Sequence, residues 1–142
     1  MRDDTAFAPH VERVRDEWID YNGHLSEAYY VLVFGHATDD VMDALGMDEA
    51  YRTETGCSLF TVEAHIRYLD QVGPGDELEV RTRLTGGGDK RLNLMHEMYV
   101  GNRLRATEEI VTLHVDTGAG RTAPFPEGVA ARIASRVTGT SS

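Results

Sequence analysis

The segment Asp20-Tyr21-Asn22-Gly23-His24 places a carboxylate, a turn sequence and an imidazole within five residues. Asn22-Gly23 favours a sharp turn, because glycine readily adopts the positive φ that such turns need. A helical pattern follows, and the first turn of a helix leaves backbone N–H groups without partners inside the helix. A carboxylate beside such donors can attack a carbonyl, or activate water against it, while the donors hold the oxyanion. The segment therefore predicts carbonyl chemistry at Asp20, and a capping or turn-forming role for Asp20 is the alternative.

A long amphipathic helix is predicted directly after this segment. Asp39, Asp40 and Asp43 lie off its apolar stripe, and Gly46 suits a left-handed cap at its end. A helix of about 20 residues at ~1.5 Å per residue would span a small domain. The stripe consists of Tyr30, Val33, Phe34, Ala37, Val41 and Leu45.

The sequence then alternates with the two-residue period of β-strands. Four antiparallel strands are predicted at about residues 60–68, 78–84, 92–100 and 103–115, and a shift of the alternation near Glu108-Glu109 indicates a bulge. Two weaker elements are a first strand at Val11–Arg15 and a helix at Glu127–Val137. On the first of the four strands, one face is predicted to carry Phe60, Val62, Ala64, Ile66 and Tyr68.

One helix can cover five strands only if the sheet curls around it. The predicted fold is therefore α+β, a curled antiparallel five-stranded sheet wrapped around one long central helix, with the sheet's outer face solvated or packed on a second copy. We expect a single domain over residues 1–142, with a core at about 8–118 and a C-terminal extension at 119–142. Residues 1–9 and 137–142 are expected to be frayed.

Composition narrows the class of protein. A length of 142 residues suits one domain, and a net charge of -10 argues against a nucleic-acid partner. Cys57 is the only cysteine, which excludes an intrachain disulfide and favours a reducing compartment. No apolar run has transmembrane length, and residues 1–9 lack signal-peptide features. We expect a cytoplasmic protein without a membrane partner.

Other catalytic chemistries find little support. The six histidines lack metal-ligand spacing such as His-Glu-x-x-His, so no metal site is predicted. There is no Gly-x-Ser-x-Gly motif, and the glycine-rich residues 85–88 join two strands rather than open a helix, so they are not a phosphate loop. Cys57 as a nucleophile would need a nearby base, and a buried structural cysteine is the favoured interpretation.

Several segments together resemble the hotdog-fold acyl-CoA thioesterases, in particular the 4-hydroxybenzoyl-CoA thioesterase-like branch. These are the loop from Asp20 to His24, Tyr30 early in the helix, the strand Ile66-Arg67-Tyr68-Leu69 and the turn Gly73-Pro74-Gly75-Asp76. The resemblance covers about residues 8–118. It implies a hotdog fold, a dimer with active sites at the subunit interface, and an acidic residue that acts on an acyl-CoA thioester.

Three further segments resemble the betainyl-CoA thioesterase subfamily and favour betainyl-CoA as the substrate. They are Trp18 to Leu25, Thr61 to Ile66, and Asp89-Lys90-Arg91. By this resemblance Asp20 takes the position of the catalytic carboxylate. Gly23 and His24 take the place of the amides that hold the oxyanion. Many relatives have Asn-Asn where this chain has Ser26-Glu27, which leaves the polar contacts at the helix start open.

The remaining candidate residues concern substrate contacts. Glu63 and His65 lie on the polar face of their strand, where the resemblance brings the second subunit; Glu63 could orient water or meet a cationic acyl group, and an exposed strand pair is the alternative. A trimethylammonium group could be walled by aromatic rings, although such rings are more often core. The rings are Trp18, Tyr21, Tyr29 and Phe60, and Asn22 and Tyr30 are further substrate-binding candidates.

Coenzyme A would need local cations in so acidic a chain. Lys90 and Arg91 at a hairpin tip could pair with its phosphates, with Arg67 and Arg103 as further candidates, although such a tip is often only solvated. No cofactor is expected, because coenzyme A is part of the substrate. The expected partners are the acyl-CoA and further copies of the chain, in a homodimer or tetramer.

Two other functions stay open at this point. A hotdog 3-hydroxyacyl-thioester dehydratase would pair an acid with a histidine, but the spacing from Asp20 to His24 is one residue shorter than that group's usual motif. A non-catalytic acyl-CoA-binding module would hold the ligand without turnover. Release of free thiol separates hydrolysis from both.

Overall fold

The apolar stripe after Asp20 forms an 18-residue helix, and an antiparallel sheet curls around it. The structure is a computed structural model, and it describes residues 5–138. Its elements, in chain order, are β1 (His10–Arg13), α1 (Glu27–Ala44), α2 (Glu49–Thr55), β2 (Cys57–Tyr68), β3 (Glu77–Gly87), β4 (Arg91–Val100), β5 (Arg103–Asp116), β6 (Arg121–Thr122) and α3 (Glu127–Thr138). The helix α2 and a 3₁₀ turn at Asp16–Trp18 were not predicted from the sequence.

The sheet has the strand order β1-β3-β4-β5-β2, and every pairing is antiparallel. The short β6 pairs with β5, so the sheet has six strands rather than the five predicted. β1 and β2 lie at the two edges of the five-strand path. Because the sheet curls around α1, residues of the β1–α1 loop and of one end of β2 border a common cleft.

The core forms between α1 and the concave face of the sheet. All six residues of the predicted helical stripe are buried, and they pack in two clusters with the inward side chains of β3, β4 and β5. Gly46 follows the helix with φ of 86°, the left-handed conformation predicted for it. Among residues 5–138, no helix is both long enough and apolar enough to cross a membrane.

A bulge in β2 corrects the predicted alternation of that strand. The pairing with β5 shifts between Thr61 and Glu63, so Val62 is the extra residue. Ala64, Ile66 and Tyr68 pair with the inward residues of β5 and face α1, as predicted. Phe60, on the other side of the bulge, pairs with Leu113 and lies on the outer face. One inserted residue reverses the face of every side chain beyond it.

The bulge predicted at Glu108-Glu109 is wrong. Met98 pairs with Ala106 and Tyr99 with Leu104, so the extra residue is Arg105. From Ala106 onward the alternation is regular, and the buried positions include polar side chains. The inward residues are Ala106, Glu108, Ile110, Thr112 and His114. The sequence pattern misled because apolar residues occupy the outer face here and a carboxylate the inner one.

The two ends of the chain are more ordered than expected. Phe7 is only 7% exposed, and its backbone N–H donates to the carbonyl of Thr82. Phe125 and Val129 of the C-terminal extension pack in the core cluster that contains Leu45. The fraying predicted for residues 1–9 is therefore wrong at Phe7, and that predicted for residues 137–142 is wrong at 137–138, which α3 includes. Residues 1–4 and 139–142 lie outside the described residues.

Candidate active site

The loop between β1 and α1 holds Asp20 in a closed turn. The backbone N–H of Gly23 donates to the carbonyl of Asp20, and that of Asp20 donates to the carbonyl of His24, each at 3.0 Å. Gly23 has φ of 81°, which the turn requires. One side-chain oxygen, Oδ1, accepts the N–H of Asn22 at 2.8 Å. The Asx turn is therefore present, and it fixes one carboxylate oxygen while Oδ2 has no hydrogen-bond partner among residues 5–138.

The first turn of α1 supplies unused donors next to this loop. Ser26 is the N-cap residue in an extended conformation, and its hydroxyl makes no capping hydrogen bond. The N–H groups of Glu27 and Ala28 have no acceptor within residues 5–138. Because the helix dipole also places positive potential here, the start of α1 is suited to an oxyanion.

Asp20 and the start of α1 border one open cleft of about 1000 Å³. The opposite wall is the end of β2 and the segment after it. There the hydroxyl of Tyr68 donates to the carbonyl of Glu27 at 3.3 Å, and its ring meets that of Tyr30 edge-on at 5.0 Å. The lining residues are Asp20, Tyr21, Asn22, His24, Leu25, Ser26, Glu27, Tyr30, Tyr68, Leu69, Asp70 and Gln71. The sequence analysis named Glu27 only as a departure from many relatives, and it did not single out Asp70 and Gln71.

The cleft has an anionic lining. Asp20, Glu27 and Asp70 contribute carboxylates, of which Asp70 is ion-paired with Arg103 Nε at 2.7 Å, and none of the lining residues is a lysine or arginine. Burial, followed by the charges of Glu27 and Glu108, raises the pKa of Tyr68 above its ordinary value, so its phenol stays protonated at neutral pH. This surface disfavours an anionic acyl group and favours a neutral or cationic one.

The predicted oxyanion donors need one correction. The N–H of Gly23 is already bound to the carbonyl of Asp20, so it is not available to a substrate. His24 lines the cleft, and within the described residues its N–H has no acceptor. Its imidazole makes no hydrogen bond to Asp20. The clearest donors are the N–H groups of Glu27 and Ala28, the first two residues of α1 after the N-cap Ser26.

The four aromatic rings predicted as a cage do not meet in one chain. Trp18 is 4% exposed and stacks on Tyr29 at 5.5 Å, so both rings belong to the core. Phe60 lies on the outer face of the sheet because of the bulge in β2. Only Tyr21 lines the cleft, and it is 98% exposed. The aromatic surface beside Asp20 consists instead of Tyr30 and Tyr68.

Two predicted pairs lie far from Asp20 within the same chain. Glu63 and His65 are exposed on the outer face and border a separate depression with Asn93 and Glu109. Arg91 pairs with Leu113, which also pairs with Phe60, whereas the cleft adjoins Tyr68. Eight residues of strand separate Phe60 from Tyr68, about 26 Å. None of Lys90, Arg91, Glu63 and His65 lines the cleft of its own chain, so we expect any contribution to come from another protomer.

A buried carboxylate, Glu108, lies on the inner face of β5 beneath α1. Its side chain has no hydrogen bond or ion pair to any residue in 5–138, and burial raises its pKa to about 7. The sequence analysis missed Glu108 as a functional residue because it predicted a bulge at this position and so did not assign Glu108 to the inner face of β5. The signal that could have found it is the inward alternation of Ala106, Glu108 and Ile110.

Glu108→Gln is expected to stabilise the free protein above neutral pH. Since the folded pKa of about 7 exceeds the ordinary 4.5, this group's contribution is fully present below pH 4.5 and is lost as the pH rises through 7. The amide has no charge to desolvate, so the gain in unfolding free energy should be about 3 kcal/mol at pH 8 and near zero at pH 4. Chemical unfolding at both pH values measures it, and an equal gain at both would contradict the explanation.

The structure also brings together groups that the search for local metal-ligand spacing missed. His10 Nε2, Glu12 Oε1 and His36 Nδ1 lie within 4.8 Å of one another, and Asp40 bonds to His10 Nδ1 at 2.6 Å. Burial lowers the pKa of His10, but hydrogen bonds to Glu12 and Asp40 outweigh it and raise that pKa. Glu12 hydrogen-bonds both imidazoles, so the cluster ties β1 to α1.

Cys57, predicted to be buried, is partly exposed at the start of β2.

Comparison with known proteins places these features in a wider context. The sequence profile of the thioesterase-like superfamily matches residues 14–133. The betainyl-CoA thioesterase of Pseudomonas aeruginosa is 45% identical over 123 residues, which cover 84% of this chain and 77% of that protein. The L-carnitine dehydrogenase/betainyl-CoA thioesterase of Agrobacterium fabrum is 46% identical over 118 residues, which cover 82% of this chain. The chain thus spans 24% of the length of that fused relative.

A solved structure adds a similar backbone. A protein from Staphylococcus aureus, determined in complex with CoA, superposes with a TM-score of 0.86 and 27% sequence identity. The superposition covers 90% of this chain and 82% of the Staphylococcus protein. The curled sheet around one helix is therefore a known arrangement, as the sequence predicted.

Proposed function

The chain belongs to the thioesterase-like superfamily, and from this premise we propose that it hydrolyses a small acyl-CoA thioester, with betainyl-CoA the favoured substrate, to the free acid and coenzyme A. The observation that carries the proposal concerns the β1–α1 loop and the first turn of α1. Asp20, with one side-chain oxygen unbonded, and Glu27 line the same cleft, and the N–H groups of Glu27 and Ala28 are unused at the start of α1. Identity of 45% to a betainyl-CoA thioesterase supports the choice of substrate.

The proposed mechanism uses the two groups on opposite sides of the thioester carbonyl. The carbonyl oxygen accepts hydrogen bonds from the N–H groups of Glu27 and Ala28, which stabilise the negative charge that develops on it. Oδ2 of Asp20 either attacks the carbonyl carbon or removes a proton from the attacking water. The carbon–sulfur bond then breaks, and the thiolate leaves and takes up a proton. If Asp20 attacks, the resulting acyl–Asp20 anhydride is then hydrolysed by water, which frees the carboxylate of Asp20; in both cases water supplies the oxygen of the new carboxylate. No cofactor is needed for these steps.

A homodimer would complete the site, as the resemblance to hotdog thioesterases implies. β2 is an edge strand, and apolar side chains on it and on the neighbouring face of α1 are 41–51% exposed in the single chain. These side chains are Val31, Leu32, Phe60, Val62, Tyr68 and Leu69. Exposed apolar patches of this kind mark association surfaces. The second protomer would then bring its own Glu63, His65, Lys90 and Arg91 toward the substrate; a tetramer and the cytoplasmic location remain predictions.

Leu32→Asp is expected to convert the dimer into monomers and to lower kcat/KM at least tenfold. A carboxylate at this exposed apolar position of α1 would have to be desolvated in the interface, at a cost of several kcal/mol. Val11→Asp is the matched control, because Val11 is 57% exposed on β1 at the opposite sheet edge. Light scattering after size-exclusion chromatography measures the mass. A dimeric L32D protein, or a V11D protein that also dissociates, would refute this interface.

The proposed reaction is tested by the release of free thiol from a panel of acyl-CoAs. The panel contains betainyl-CoA, short aliphatic thioesters and an aromatic thioester, and the single Cys57 adds at most one equivalent of thiol per chain. Hydrolysis of betainyl-CoA over many turnovers is expected. Binding without thiol release would instead indicate a binding module, and a change in the acyl chain without thiol release a dehydratase.

A further inference from the structure

A second cavity, of about 300 Å³, lies between α1 and β2, the same two elements that form walls of the candidate active site. The cleft at Asp20 ends at Tyr30 on α1 and at Tyr68 on β2, and the cavity begins at Val31 and Ile66, the next residues that face the groove. Its lining is Val31, Gly35, Thr38, Asp39, Met42, Leu59, Thr61, Ala64, Ile66 and Glu108. Apolar groups dominate it, and no lysine or arginine is among the lining residues.

The length of the groove fits a short acyl group. A thioester carbonyl held by the N–H groups of Glu27 and Ala28 would lie about one helical turn, roughly 5 Å, before Val31. In a betainyl group the quaternary nitrogen is two bonds from the carbonyl carbon, about 2.5 Å away. The nitrogen would then lie beside Tyr30 and Tyr68, about half-way to Val31, with its methyl groups directed toward the cavity.

Two carboxylates line this cavity, the exposed Asp39 and the buried Glu108, and Glu108 is the one whose charge is withdrawn from water. It is 5% exposed, and its carboxylate has no hydrogen bond or ion pair among residues 5–138. Its cross-strand neighbour on β4, the buried His96, uses both ring nitrogens on the hydroxyls of Thr38 and Thr82, and burial lowers the pKa of His96 to about 4, so this imidazole carries no charge at neutral pH. A buried carboxylate without a partner costs several kcal/mol, which is a poor arrangement for stability alone. Its charge reaches Tyr68 in the neighbouring cleft, where it helps to raise the pKa of that phenol. A charge left uncompensated at the end of a substrate groove indicates a ligand that compensates it.

We propose that Glu108 is the residue that selects a cationic acyl group, with its carboxylate facing the quaternary ammonium of a substrate bound between α1 and β2. The inference rests on the proposed thioester hydrolysis and adds the specificity-determining residue. A quaternary ammonium has no N–H donors, so it needs charge and aromatic or apolar surface rather than hydrogen bonds. Glu108 supplies the charge, Tyr68 the aromatic ring, and Val31 and Ile66 the apolar surface.

The test compares two thioesters of the same shape. In 3,3-dimethylbutyryl-CoA a carbon replaces the quaternary nitrogen of betainyl-CoA, so the two substrates differ in charge and not in size. We measure kcat/KM for both at pH 8 in the wild type, E108Q and E109Q. Glu109 is the matched control, because it is the adjacent acid on the exposed outer face. The wild type should prefer betainyl-CoA, and E108Q should lower the ratio of the two kcat/KM values about 100-fold.

Each outcome is decisive. Equal losses on both thioesters in E108Q, or an equal fall of the ratio in E109Q, would overturn the role of Glu108 in selectivity. A wild type that prefers the neutral thioester would overturn it as well. If the wild type releases thiol from neither substrate, the proposed hydrolysis is overturned, and the role of Glu108 in binding is then tested on its own. The Kd of betainyl-CoA by calorimetry then still tests Glu108: a weakening in E108Q and not in E109Q supports the inference, and an unchanged Kd overturns it.

Discussion

Asp20→Asn should lower kcat for thioester hydrolysis by about 10² to 10⁴-fold while leaving the fold intact. The amide oxygen can still accept the N–H of Asn22, as Oδ1 does at 2.8 Å in the wild type, so the Asx turn is retained. The second side-chain oxygen becomes an NH₂ group. This group can neither attack a carbonyl carbon nor take a proton from water, so the chemical step loses its base or nucleophile.

The measurement is thiol release under saturating betainyl-CoA, with circular dichroism as the check on folding. Asp16→Asn is the control, because Asp16 is an exposed acid in the 3₁₀ turn before the loop and does not line the cleft. D16N should keep near-normal activity. If D20N is folded and its kcat falls by less than tenfold, Asp20 does not carry the reaction.

Glu27→Pro is the second substitution with a large expected effect, a loss of about 10² to 10³-fold in kcat. Proline removes the backbone N–H that is proposed to hold the oxyanion. The fold should tolerate it, because Glu27 is the first residue of α1, where proline is favoured and the N–H has no acceptor within the helix. The preceding Ser26 has φ of -66° and ψ of 142°, the extended conformation that a residue before proline requires.

Glu27→Ala separates the backbone from the side chain. It removes the same carboxylate but keeps the N–H, so E27A should retain most of the activity that E27P loses. Thiol release gives kcat for both variants, and thermal unfolding should show E27P to be at least as stable as E27A. Equal activities of the two variants would mean that the Glu27 N–H is not an oxyanion donor.

These expectations share a physical basis in the turn before α1. The turn consumes the N–H of Gly23 and one oxygen of Asp20, and it leaves the second oxygen and the next free donors for a substrate. The donors lie on backbone, where side-chain substitution does not reach them. For this reason a proline scan of the first turn is more informative here than an alanine scan.

Much of the fold was predictable because it depends on local periodicity. The stripe from Tyr30 to Leu45 repeats at helical spacing, and each of its residues is buried. On β3, four residues alternate with charged ones and lie on the face turned toward the core of the protein: Leu78, Val80, Thr82 and Leu84. In such segments the burial of one face determines the structure, and that face is visible in the order of the residues.

The predictions failed where a single extra residue changes the face of a strand. Val62 and Arg105 are such residues, and neither differs in type from its neighbours in a way that marks a bulge. The two bulges turn Phe60 outward and Glu108 inward. Their positions are determined by pairing with β5 and β4, which is a contact between distant parts of the chain.

By itself, the sequence determined the long helix, the four main strands, the acid-and-turn segment before the helix and the resemblance to thioesterases, because each depends on neighbouring residues. Only the tertiary structure decided which N–H groups are free, which rings meet beside Asp20, and that Glu108 is buried without a partner. Those properties depend on which atoms of α1, β2 and β5 face one another across the groove. Hydrogen bonding and desolvation act between atoms that are close in space, and the residues that line the cavity between α1 and β2 are up to about 80 positions apart in the chain.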